Sequence, residues 1–281
     1  MTSGYELLDA GDGRRLERFG DFVVDRPAPG ADDPLRAPDA WDGADLRYER
    51  DAGWLARAGQ EVPGAWEMVE GDLRLELRPT ATGQVGLFPE QGSNRAWVRD
   101  LIGQLTVTGG EPAVLNLFAY TGAMTLSAVA AGAAVTHVDG SRPTVAWARR
   151  NADLSALADR PVRWIVDDAE AFVAREQRRG RPYDGFVLDP PSYGHGAGGR
   201  TWRLSERLPG LLDACVVLTG PRPAFAVLSA HSHGFGPDRL ADQLASALRR
   251  RPADVDAGEL ALRAQSGARL RLGAYARIIG R

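Results

Sequence analysis

The chain has 281 residues, with 34 basic side chains that are all arginine, 37 acids, four histidines and a single cysteine, Cys215. The absence of lysine excludes a Schiff-base lysine, a pyridoxal phosphate linkage and a P-loop lysine, and one cysteine excludes an intrachain disulfide framework, a cysteine-cluster zinc site and a four-cysteine iron–sulfur centre. Net charge is −3 and uneven, with 12 arginines against 20 acids in residues 1–100 and 22 against 17 in residues 101–281, so the chain lacks the strongly basic balance that signals nucleic acid directly.

From Tyr5 to about Leu101 the pattern is short strand-like pieces between turn residues. Asp12-Gly13 falls between two candidate strands, and Pro27 to Asp45 is dense in Pro, Asp, Gly and Ala, which predicts a loop. Alternation through Leu73, Leu75 and Leu77 predicts a half-buried antiparallel strand, and residues 93–105 a helix.

From Val114 the rhythm becomes strand, tight turn, helix. "AVLNLF" is a first apolar strand, followed by a helix capped by Thr121 and stopped at Gly132. "AVTHVD" is the second; Ser141 caps the next helix, Pro143 sits in its first turn, and it runs to about Ala158. "VRWIVDD" is the third, with a helix from Ala169 to Arg179. "YDGFVLDPP" is the fourth, followed by a glycine-rich loop and a helix near 204–218. "AFAVLSA" is the fifth, with a helix near 237–250, and the chain ends in strands around Ser266-Gly267. Five βα repeats with near-continuous apolar strands predict an α/β fold, a doubly wound, mostly parallel sheet beside a smaller β-rich N-terminal domain. The division expected is 1–92 for that domain and 93–281 for the doubly wound one. The longest apolar run falls far short of a membrane span and the first residues lack a secretory pattern, so a cytoplasmic protein is expected.

In such a sheet the ligand lies at the carboxyl ends of the strands. Those positions hold Asn116, Phe118, Tyr120 and Gly122 after the first strand, Asp139 at the second and Asp167-Asp168 at the third. Asp189-Pro190-Pro191-Ser192-Tyr193 follows the fourth, and Ser229 to His233 the fifth. "NLFAYTGA" has one glycine where a dinucleotide site needs GxGxxG to approach a pyrophosphate. A cofactor with ribose and adenine but no phosphate keeps the acid of the second strand for its ribose hydroxyls, and S-adenosylmethionine meets that description. Taken singly, Asp139 or Asp168 is equally a helix cap; the ordered set is what a structural role alone does not explain. In the fourth segment, a carboxylate and the Pro190 carbonyl can together hold an amino group by both hydrogens, while Tyr193 stacks on a planar base.

The stretch from about Val85 to His233 resembles the class I S-adenosylmethionine-dependent methyltransferases, closest to the bacterial 23S (large-subunit) ribosomal RNA base methyltransferase group. "VLNLFAYTGA", "VDGS", "IVDDA" and "DPPSYG" match successive motifs, and "GLFPEQGSNRAWV" resembles the segment before the catalytic domain. The resemblance implies that Asn116, Phe118, Tyr120, Gly122, Asp139, Asp168 and Ala169 bind the cofactor, with Gln91 and Arg95 as neighbours. It also implies that Asp189, Pro190, Pro191 and Tyr193 face the methyl acceptor. Residues before Val85 do not resemble the RNA-binding domain that often precedes this catalytic domain.

Relatives that methylate pyrimidine carbon 5 place a thiol after the fifth strand; here Ala230 stands there, and Cys215 lies in a helix, where a buried thiol is the default. The acceptor expected is therefore a nitrogen of an RNA base, ribosomal RNA first, methylated by direct displacement. A small-molecule or protein acceptor is the alternative, and a non-catalytic adenosine-binding module the second. No metal is expected: His195, His231 and His233 fit polar packing or substrate contact better than a ligand set. The loop 194–199, with Arg200 and Trp202 beyond it, has the composition of a lid offering a phosphate contact and a stacking ring, and equally that of an ordinary connection.

Overall fold

The computed structural model describes residues 4–107, 109–195 and 201–280. The chain forms two compact units, Met1–Gln91 with Ala261–Leu272, and Gly92–Leu260 with Gly273–Arg281.

The first unit carries a five-stranded sheet, β1 (Tyr5–Gly11), β2 (Arg14–Phe19), β3 (Phe22–Pro27), β4 (Leu46–Glu49) and β5 (Gly53–Ala56), in that order. The β1–β2 turn sits at Asp12-Gly13, both in left-handed conformation as a tight hairpin demands. The alternating stretch after Ala65 is a hairpin, β6 (Trp66–Glu70) and β7 (Leu73–Leu77), turned by Gly71. Its interior holds an ionic cluster: Glu17 accepts from Tyr5 Oη (3.0 Å), Arg26 Nε (2.5 Å) and Arg26 Nη2 (3.1 Å), with Arg15 beside it. Residues 261–272 join this unit because Gln265 and Ser266 donate to the Leu7 and Leu8 carbonyls and the Ser266 hydroxyl to Asp9.

The second unit opens with α1 (Gly92–Val107), then alternates β8 (Ala113–Leu117), α2 (Ala123–Ala130), β9 (Ala134–Asp139), α3 (Arg142–Leu154), β10 (Val162–Val166), α4 (Ala169–Arg179) and β11 (Gly185–Leu188). A small hairpin, β12 (Tyr193–His195) and β13 (Thr201–Arg203), precedes α5 (Leu204–Thr219), β14 (Phe225–Ala230) and α6 (Pro237–Leu248). The chain closes with β15 (Asp256–Arg263) and β16 (Arg269–Ile279). The main sheet runs β10-β9-β8-β11-β14-β16-β15. The first five are parallel and β16 is antiparallel to β14; because β9 and β10 lie on one side of β8 and β11 and β14 on the other, the order reverses at β8, where a doubly wound sheet opens its ligand crevice. Two apolar layers hold it: Phe172, Leu208, Leu212 and Leu244 against one face, and Val98, Ile102 and Val129 against the other.

Helix boundaries follow the expected caps with two differences. Ser141 caps α3 by accepting from the Thr144 amide, but α3 ends at Leu154 because Ala156 turns left-handed. Gly122, not Thr121, is the cap residue of α2; its left-handed φ of 90° makes the turn, and a Cβ there would meet that of Ala148 at 3.0 Å.

Within the core, His137 on β9 shares Nδ1 with Thr125 Oγ1 at 2.9 Å. Burial lowers its pKa from 6.5 to about 3, so the ring is neutral in the fold. A histidine depressed in this way contributes stability that is present above pH 6.5 and lost as pH falls toward 3. The urea midpoint of the second unit's unfolding should therefore drop between pH 7 and pH 5. A His137→Gln variant should show a smaller drop over the same interval; an equal drop would assign the acid sensitivity to other groups.

Candidate functional site

Parallel register brings the ends of β9, β8, β11 and β14 into one row. Val138 pairs with Leu117, Leu117 with Leu188 and Leu188 with Leu228. Asp139, Phe118, Asp189 and Ser229 each follow one residue later. With strands ~4.8 Å apart, the Asp139 and Asp189 backbones stand roughly 10 Å apart across the reversal point.

The turn after β8 is strained. Phe118 and Tyr120 are both left-handed, at φ 56° and 50°, and Gly122 follows at 90°. Non-glycine residues in that region cost on the order of 1 kcal/mol or more each, and such strain gathers at ligand sites. The turn is held from three sides. The Ala119 amide donates to the Val138 carbonyl (3.1 Å), the Tyr120 amide to Asp139 Oδ2 (2.9 Å), and Asn151 Nδ2 to the Thr121 carbonyl (2.9 Å).

Asp139 thus ends β9 with its carboxylate tied at both oxygens, since the Ser141 amide donates to Oδ1 (2.9 Å). Burial raises its pKa, and the two backbone bonds pull the other way. A carboxylate offers about four acceptor positions, so each oxygen keeps capacity for one hydroxyl of a vicinal diol. Asp168 caps α4, Oδ1 accepting from the Ala171 amide at 2.9 Å, and Ala169 opens that helix, buried. Among the described residues Asp168 Oδ2 has no protein hydrogen bond. Capping and ligand binding, alternatives in sequence, are compatible in space because the two oxygens divide the work. Asp139 with acceptor capacity left at both oxygens, Asp168 with Oδ2 carrying no protein hydrogen bond among the described residues, and the left-handed turn together are compatible with an adenosine cofactor lacking phosphates.

Asn116 is buried and its amide donates to Thr125 Oγ1 (2.9 Å), facing the core network of His137. Gln91 ends the turn Pro89–Gln91 and Arg95 lies in the first turn of α1; both side chains are buried.

At the end of β11, Pro190 is buried, Pro191 and Ser192 are exposed, and Tyr193 is 54% exposed. Four bonds fix this loop. The Ser229 hydroxyl donates to Asp189 Oδ1 (2.6 Å), Ser232 to the Ser192 hydroxyl (2.6 Å), Trp202 Nε1 to the Pro191 carbonyl (2.7 Å) and the Leu204 amide to the Ser192 carbonyl (3.1 Å). His231 Nε2 lies 3.4 Å from Asp189 Oδ1. Trp202 is buried against Phe118, ring centroids 5.1 Å apart, so it braces the loop and is not an open stacking platform. The remaining lid residues, 196–200, lie outside the described residues. Trp202, read in the sequence as a stacking ring, braces the loop instead, and the bond from Ser229 to Asp189 is a contribution that motif reading did not assign. The signal for Ser229 was its register, one strand from Asp189 and one residue past the paired positions.

Cys215 is fully buried in α5 and burial pushes its thiol pKa up; Ala230, also buried, ends β14. Neither supplies a thiolate at the site. Among the described residues no group of three or more His, Cys, Asp or Glu side chains is placed to hold a metal, and no helix is long and apolar enough to cross a membrane.

Comparison with known proteins agrees with this geometry. Residues 43–245 match the family model of S-adenosylmethionine-dependent methyltransferases. A solved S-adenosylmethionine-dependent methyltransferase from Agrobacterium tumefaciens superimposes with a TM-score of 0.90 at 33% identity, over 100% of this chain and 92% of that one. Ribosomal RNA large subunit methyltransferase K/L of Syntrophotalea carbinolica is 44% identical over 50% of this chain and 18% of its own length. Ribosomal RNA large subunit methyltransferase I of Klebsiella pneumoniae is 25% identical over 64% of this chain and 48% of its own. The chain therefore spans between about a fifth and a half of those two relatives. With the family match covering most of the chain, a full-length structural relative and a strand-end donor set suited to the cofactor, the protein belongs to the S-adenosylmethionine-dependent methyltransferases.

Proposed function

We propose that the protein methylates a nitrogen of an RNA base, with ribosomal RNA as the substrate, by direct displacement. The observation that carries this reading is the Asp189-Pro190-Pro191-Ser192-Tyr193 loop, where a carboxylate held from β14 is followed within four residues by an exposed aromatic ring. When bound, S-adenosylmethionine supplies a methyl group on a sulfonium, whose bond pair returns to sulfur on transfer. Asp139 would accept from the ribose hydroxyls, the turn Phe118–Gly122 would help to hold the cofactor, and Asp168 and Ala169 would hold its adenine. Arg95, in the first turn of α1, is a further candidate for this set.

On the acceptor side, Asp189 accepts one hydrogen of the amine and the Pro190 carbonyl the other. This directs the nitrogen lone pair toward the methyl carbon, and the proton that the methylated nitrogen then gives up leaves to solvent, so alignment supplies the catalysis and no covalent enzyme intermediate is needed. Pro191 stiffens the backbone behind that carbonyl, and Tyr193 stacks on the base. A base in structured RNA is splayed or flipped to reach it. In this reading the β-rich unit before Gly92 serves the acceptor.

The named relatives act on large-subunit ribosomal RNA, which supports the RNA acceptor. The acidic balance of residues 1–100 favours a second reading, the same transfer to a small molecule or protein. Filter binding to ribosomal RNA across a salt series separates them. An RNA enzyme loses affinity steeply between 50 and 200 mM salt, by roughly tenfold or more for even a few phosphate contacts; absence of salt-dependent binding would favour the second acceptor class.

A further inference from the structure

Asn116 on β8, His137 on β9 and Trp164 on β10 are register partners, and Thr125 in the first turn of α2 bridges the first two. Asn116 Nδ2 lies 2.9 Å from Thr125 Oγ1, which lies 2.9 Å from His137 Nδ1. All three side chains are buried, and Thr125 and His137 make no other side-chain hydrogen bond among the described residues. His137 Nε2 is sealed in without a partner beside the Trp164 ring, the centroids 4.9 Å apart and the planes tilted by 55°. Asn116 Oδ1 also takes no protein hydrogen bond among the described residues, but unlike Nε2 it is not sealed from solvent. It stands one residue before the end of β8 and two before the left-handed Phe118.

A hydroxyl has one hydrogen to give, and an amide nitrogen only donates. Thr125 therefore accepts from Asn116 and gives its hydrogen to His137 Nδ1, the bare nitrogen of a neutral ring. The ring hydrogen sits on Nε2, where an aromatic neighbour takes it as a weak donor. Only one other direction keeps both bonds. With hydrogen on Nδ1, the imidazole donates to Thr125, Thr125 donates to an amide turned over, and NH2 replaces oxygen at the open end. The tautomer of a core imidazole and the chemistry offered by Asn116 are thus a single choice.

We propose that His137 and Thr125 are positioning residues for the cofactor, holding the Asn116 amide with its oxygen outward as an acceptor for the α-ammonium group of S-adenosylmethionine. This rests on the reading given above, with adenine held after β10 and ribose after β9. The amino-acid end of the cofactor then falls to β8, where Asn116 stands. An ammonium group has three hydrogens and no lone pair, so an oxygen meets it and an outward NH2 would oppose it donor to donor.

The test uses the full chain. Nitrogen NMR of the cofactor-free parent should show the His137 ring hydrogen on Nε2 and none on Nδ1. Thr125→Val and His137→Leu break the chain and free the amide to turn. Each should raise the Kd of S-adenosylhomocysteine by calorimetry about 10-fold, the loss of one hydrogen bond to a charged group. The Kd of 5′-methylthioadenosine, the same nucleoside thioether without the amino acid, should stay within about twofold of the parent. Thr125→Ser keeps the hydroxyl and should recover the parent affinity. Residues that only stabilised the core or the turn would weaken both ligands together or neither. Equal shifts for the two, unchanged affinity for both, or a ring hydrogen on Nδ1 would therefore overturn the proposal. Equal affinity of the parent for the two ligands would overturn it through the placement of the amino-acid end at β8, and the ring tautomer separates that failure from a failure of the chain itself.

Discussion

Asp189→Ala is expected to lower the rate of methyl transfer by about 10³-fold while leaving S-adenosylmethionine affinity within about threefold of the parent. The two quantities separate because Asp189 stands roughly 10 Å along the strand ends from Asp139. Losing its carboxylate removes an acceptor for the amine hydrogen and frees the Ser229 hydroxyl, but leaves the turn after β8 untouched. Asp189→Asn keeps an acceptor oxygen of the same reach and loses the charge, so it should fall between parent and alanine. Rates from single-turnover transfer of a labelled methyl group and Kd from calorimetry check both halves. A Kd raised in step with the lost rate would move Asp189 to the cofactor's site.

The converse is expected at Asp139. Asp139→Ala should raise the S-adenosylmethionine Kd by about 100-fold, the loss of two hydrogen bonds to a charged acceptor at about 1.5 kcal/mol each. Saturating cofactor should then restore much of kcat. The carboxylate also ties the Tyr120 and Ser141 amides, so part of the effect is loosening of the strained turn. Asp139→Asn distinguishes the two contributions, because its one oxygen can hold either amide but not both. The Tm of each variant should lie within a few degrees of the parent, since the groups lost are at the carboxyl end of β9 and not in the apolar core.

What could be read from sequence was whatever each βα unit encodes within itself. Asp139, Asp168 and Asp189 are visible because each ends an apolar run and precedes a cap or proline signal. The same locality explains the reach of cap reading at Ser141. Three features lay beyond it. The contacts of Ser229 with Asp189 and of Ser232 with Ser192 join segments 40 residues apart, and only parallel register brings them together. The hairpin β12–β13 has strands of three residues, too short for a periodic signal. Residues 261–272 group with the first unit through backbone bonds to Leu7 and Leu8, which no side-chain pattern announces. Left-handed Phe118 and Tyr120 break the usual preference of bulky residues, so local propensity argued against the conformation that the site adopts.

The central claim, transfer to a nitrogen of a ribosomal RNA base, is tested most directly by mass spectrometry of large-subunit RNA nucleosides from a strain lacking this protein and from its parent. The account predicts that one N-methylated base nucleoside disappears in the deletion strain and returns when the parent protein, but not Asp189→Ala, is supplied. An unchanged nucleoside profile, or loss of a carbon-methylated pyrimidine in its place, would contradict it.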